Sequence, residues 1–142
     1  MALTLSAEQY RLLADAVLVL HASIVAFVVF SLPLILAGSH WHWRWVRNFW
    51  FRISHLAAIA YVAAQTWFGI DCPLTTLEVT MRLRSGAVPY EGDFVSHWLS
   101  RILFYTAPPW VFLALYTGFA LLVLYTWIRI PPQGPMRGTR VT

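Results

Sequence analysis

The chain has 142 residues, 59% apolar, 16% aromatic and only 11% charged, with a formal net charge of +4 whose basic residues are all arginine. Soluble domains carry roughly 25% charged residues, so this composition excludes a water-soluble globule and leaves one domain in or beside a bilayer. The arginines sit at the ends of apolar runs, which excludes a nucleic-acid face, and the single cysteine, Cys72, excludes an internal disulfide framework and a Cys-rich zinc module.

In chain order, residues 12–37 form the first apolar run, broken by Asp15, His21, Ser23 and Pro33. It exceeds the roughly 7–15 residues of a signal-peptide apolar region, and Arg44 and Arg47 follow it, so it is expected to stay as a span. A tryptophan-rich loop, His40-Trp41-His42-Trp43-Arg44-Trp45, leads to a second span over 49–70 that contains His55 and Gln65. Pro73 suits the first position of a new helix, capped by Asp71 or Cys72. That helix is expected over 73–84, lying on the membrane surface through Leu74, Leu77, Met81 and Leu83.

Residues 94–107, with His97 and Arg101, are too short to span and are expected to form an interfacial or re-entrant helix. The third span is expected over 110–130, followed by a disordered Pro/Gly-rich tail over 131–142. The expected fold is therefore all-α, an integral membrane bundle of three transmembrane helices plus the short interfacial or re-entrant helix.

Arg44, Arg47 and Arg52 at the first connection, and Arg129, Arg137 and Arg140 at the end, belong on the cytoplasmic side by the positive-inside rule. An odd number of spans satisfies both clusters, with the N-terminus outside and the C-terminus inside. Trp41, Trp43, Trp45, Trp50, Trp67, Trp110 and Trp127 fit as interface anchors. Ala22 with Ala26, and Ala60 with Ala64, are small pairs at the spacing that lets helices approach closely. The face bearing Asp15, Ala22, Ala26 and Pro33 is expected to meet the other helices.

Ionisable groups within a membrane are costly, which makes His21 and His55, with Asp15 nearby, candidates for a site. Two histidines on neighbouring helices can clamp a haem iron from opposite sides. The expected spans leave them roughly 8 Å apart in depth, so that ligation needs tilt or a shifted boundary. In the other role each histidine hydrogen-bonds a carbonyl or hydroxyl of a neighbouring helix. On the outer side, Asp71, Cys72, Glu78 and His97 are metal-ligand types without a diagnostic spacing. Cys72, at a helix N-terminus, is also a candidate redox thiol. His40 and His42, in the arginine-bearing loop, suit anionic lipid head groups.

Leu13-Ala14-Asp15 with His21, then His55, the block Gly69-x-x-Cys72-Pro73-Leu74-Thr75-x-x-Glu78, and Phe94-Val95-Ser96-His97-Trp98-Leu99 together resemble an uncharacterised bacterial membrane-protein family, domain of unknown function 2784. The resemblance runs from about Leu12 to Ile130. It implies a bacterial inner (plasma) membrane location and one shared pattern for Asp15, His21, His55, Cys72, Glu78 and His97. It implies no activity.

Two functions of different class follow. One is a redox component with a His/Cys/carboxylate site toward the outer face, binding haem b, a metal ion or a quinone, with His21 and His55 as the haem or quinone residues. The alternative is a non-catalytic accessory or assembly subunit whose partners are the lipid bilayer and the subunits of a larger membrane complex. Three spans do not supply the paired repeats of the usual transporter folds.

Overall fold

The computed structural model describes residues 5–89, 94–103 and 107–134. Among these residues the chain is all-helical, in the order α1 (Ala7–His40), a 3₁₀ turn (Arg44–Arg47), α2 (Phe49–Phe68), α3 (Pro73–Arg84), α4 (Phe94–Leu103) and α5 (Pro109–Arg129). Positions 104–106 of the segment expected over 94–107 lie outside the described residues.

Local chemistry accounts for the helix ends. Ser6 caps α1: its hydroxyl accepts from the Gln9 amide at 3.2 Å and its own amide donates to the Gln9 side chain at 2.8 Å, a reciprocal box. The Asn48 side chain accepts from the amides of Trp50 and Phe51 to start α2. Gly69, at φ 63°, ends α2 in the left-handed region that glycine enters without strain. Pro73 and Pro109 open α3 and α5, where a missing amide hydrogen costs nothing. Cys72 is the N-cap of α3 by position, but its side chain makes no capping bond.

At about 1.5 Å per residue, α1 is roughly 50 Å long and overshoots a ~30 Å hydrocarbon core. Its N-terminal half is accompanied by α3, which runs antiparallel to it: Arg84 reaches Tyr10, Arg82 reaches Asp15, and Cys72 meets His21. Its lower half meets α2 and α5. Val28 and Leu32 pack there with Ile59 and Val123, flanked by Phe27, Leu56, Ala58, Phe119 and Ala120. α2 and α5 are antiparallel, with Phe49 against Trp127 and the Trp67 indole donating to Thr117 Oγ1 at 3.0 Å.

α1 and α5 are each long and apolar enough to cross a membrane, and α2 with α3, bent by 72° at their junction, qualify as a third crossing if the pair is one span. This is a helical membrane protein with two to three candidate spans. Among the described residues the basic end is one place: the Arg47 guanidinium donates to Pro131 O, the Gln133 amide donates to Arg47 O at 2.7 Å, and Arg52 lies against Trp127. The tail expected to be disordered from 131 therefore begins as an ordered strap, because the 3₁₀ turn offers its first residues a donor and an acceptor. Residues 135–142 lie outside the described ones.

The packing face of α1 differs from the expected one. Ala14, His21, Val28 and Ile35, spaced by seven, are buried with Ser31, Leu32 and Gly38, whereas Asp15, Ala22 and Pro33 are exposed, as are Ala60 and Ala64 on α2. A seven-residue seam keeps facing a partner that crosses at a shallow angle. At its lower end the lack of a side chain on Gly38 is required, since a Cβ there would lie 2.6 Å from Val46 Cγ1.

Candidate functional site: a polar seam between α1 and α3

α3 is packed inside out relative to a soluble helix. Thr75 and Glu78 are buried and, with Arg82, share the face toward α1, while Leu77 and Leu83 point outward at 43% and 58% exposure. Leu77 and Leu83 of the expected apolar stripe thus face away from the protein, Leu74 and Met81 are half-buried, and a polar stripe makes the contact. Lipid accepts such a leucine face where water would not.

The seam has two parts. In the first, Arg82 Nε donates to Glu78 Oε1 at 2.8 Å and Arg82 Nη2 donates to Asp15 Oδ1 at 3.2 Å. Glu78 is fully buried, and a buried carboxylate is tolerated only when a charged partner offsets its desolvation, which a charge-assisted bond at i,i+4 supplies here. Asp15, with a half-exposed side chain, extends this pair onto α1. Arg84 adds a bond to the Tyr10 hydroxyl and lies over its ring.

In the second part, the Cys72 thiol lies 3.8 Å from Nε2 of His21, a ring only 7% exposed. Cys72 is free and half-buried. A thiol and an imidazole in contact can exchange a proton, which turns the thiol into the nucleophilic thiolate. Thr75, one turn along from Cys72 toward Glu78, has a buried hydroxyl with no hydrogen-bond partner among the described groups.

The predicted site residues divide accordingly. Asp15, His21, Cys72 and Glu78 line one seam. His55 does not join them. It is 1% exposed in the three-helix core, its Nε2 donates to Val28 O at 2.8 Å, and the rings of Phe27 and Phe119 stand perpendicular to it. Val28 is seven residues, about 10 Å, along α1 from His21. The two histidines therefore direct their Nε2 atoms at different partners.

Asp71 is exposed, and His97 sits on α4 beside Trp98. Among the described residues no three His, Cys, Asp or Glu side chains gather closely enough to hold a metal ion, so Asp71, Cys72, Glu78 and His97 do not form the expected ligand set. His40, the last residue of α1, and His42, on the loop that follows, are exposed beside the rings of Trp41, Trp43 and Trp45, which follow one another at 5.4 and 6.1 Å.

Arg82 is the residue that sequence reasoning misses. Its signal is the i,i+4 spacing to Glu78, together with Thr75, Glu78 and Arg82 falling on one helical face. A family model described as Protein of Unknown function (DUF2784) matches residues 11–132, which contain the whole seam and the His55 core. No curated protein and no solved structure matches the chain.

Proposed function

We propose that this chain, which belongs to the DUF2784 family of proteins of unknown function, is a three-span protein of the bacterial inner membrane, N-terminus outside, whose outer seam carries thiol–disulfide chemistry on Cys72. The contact between Cys72 Sγ and His21 Nε2 carries this reading. The common end shared by the first basic connection and the last helix supports an odd number of spans and, with the positive-inside rule, an outer position for the seam. Outside the cytoplasm disulfides persist and a lone thiol meets disulfide partners.

His21 Nε2 takes the Cys72 proton. The thiolate attacks one sulfur of a partner's disulfide, a new S–S bond forms as the old one breaks, and the departing thiolate takes the proton back from the imidazolium. With one cysteine per chain, the mixed disulfide is released by a second thiol of the partner. Glu78 and Arg82 hold α3 on α1 and so hold the thiol beside the ring.

The test is the rate of Cys72 alkylation by a maleimide against pH, on purified full-length protein and on His21→Asn. The variant should be alkylated roughly tenfold more slowly than the wild type at neutral pH. Superimposable profiles would overturn the assigned role of His21. A membrane-impermeant maleimide applied to intact cells should also label Cys72; protection until the cells are opened would reverse the orientation.

A further inference from the structure

We infer that Arg52 anchors a phosphate group at the basic end of the bundle, on the opposite side from the thiol seam. Arg52 lies in the second turn of α2 and is 2% exposed, and neither Nη1 nor Nη2 has a hydrogen-bond partner among the described groups. A buried guanidinium with two unused donor nitrogens is costly unless an acceptor meets it. Arg47, a charge of the same sign, acts on it. Arg47 itself is turned to Pro131 O.

Among the described residues no acidic side chain reaches it. None occurs between Asp15 and Asp71, and none after Asp93. The described ones, Glu8, Asp15, Asp71 and Glu78, belong to the N-terminal half of α1, the connection before α3 and the body of α3. The neutralising group must come from outside these elements.

Two features fit a phosphate. A guanidinium fork matches its oxygens in a bidentate way. The N-terminal turn of a twenty-residue helix adds a partial positive charge of the same sense. The half-buried Trp127 lies over the guanidinium, 5.6 Å from Arg52 Cζ to the ring centroid, and closes the site from the α5 side, so phosphate entry requires the indole to move aside. The phosphate can arrive on an anionic lipid of the cytoplasmic leaflet or as the free ion, and one experiment separates the two sources.

Full-length protein, purified in a phosphate-free neutral detergent, is titrated with inorganic phosphate, with phosphatidylglycerol and with phosphatidylcholine while its thermal unfolding is followed. Arg52→Met, Arg52→Lys and Arg44→Gln, the last at an exposed site, are run in parallel. The midpoint of the wild type and of Arg44→Gln should rise with phosphatidylglycerol over phosphatidylcholine. A rise with inorganic phosphate as well would mark a free-ion site, and a rise with the lipid alone a headgroup site. Arg52→Met should lose the response, yet without ligand be at least as stable as the wild type, because the methionine buries no charge. Arg52→Lys should respond weakly.

A wild type that responds to neither phosphate source would overturn the proposal, as would an Arg52→Met protein that responds in full. If Arg52→Met does not fold, the reduced response of Arg52→Lys carries the test, and a full response there would overturn the proposal.

Discussion

Replacing Glu78 by Gln probes the seam most directly. Removing one partner of a buried ion pair costs about 3–5 kcal/mol. Three features of this pair lower that figure: Arg82 keeps 19% of its side chain exposed, it retains Asp15, and glutamine keeps the shape and an acceptor oxygen. About 2 kcal/mol remains for the docking of α3 on α1, which is roughly a thirtyfold rise in the undocked population. Amide hydrogen exchange reads that population element by element. In Glu78→Gln the amides of α3 should exchange roughly thirtyfold faster, with those of α2 and α5 unchanged. Asp15→Asn, at a half-exposed carboxylate, should cost under about 1 kcal/mol. Unchanged exchange in α3, or equal acceleration in α5, would refute the docking role of the pair.

Three further substitutions test the rest of the fold. Gly38→Ala should lower the thermal midpoint by an amount worth about 1 kcal/mol, the difference between overpacking against Val46 and the gain in helix propensity; Val46→Ala in the same chain should reverse part of the loss, and independent effects would disprove the close approach. His55→Leu should cost only about 1 kcal/mol for the lost bond to Val28 O, while His55→Ala should cost about 2–4 kcal/mol through the cavity; equal losses in chemical denaturation would point to a role for the ring beyond packing. Ending the chain after Ile130 removes the acceptor of Arg47 and the Gln133 amide bond and should lower stability by about 1 kcal/mol; an unchanged midpoint would show that the strap contributes nothing.

Much of the architecture is legible without coordinates. Long apolar runs with few charges can only be helices in lipid, since every backbone polar group must be satisfied within its own segment. Local punctuation marks helix starts: Asn48 precedes α2, Pro73 opens α3 and Pro109 opens α5. The polar seam is legible in part. Asp15, His21, Cys72 and Glu78 stand out as costly residues in an apolar chain, but nothing in their spacing says that His21 meets Cys72 rather than His55.

Composition and charge placement by themselves determine that this is a helical membrane protein and that its arginines crowd particular connections, because the transfer cost of polar groups depends on residue type alone. Which face of each helix turns inward was decided only by the tertiary structure. α1 is apolar around most of its circumference, so its pattern favours no direction. One residue, about 100° of rotation, separates the expected face at Asp15 and Ala22 from the buried one at Ala14 and His21. That rotation puts His21 against Cys72 and Val28 against His55. The fold also buries Arg52 beneath Trp127 at the far end, a pairing between residues 75 positions apart that local pattern has no means to signal.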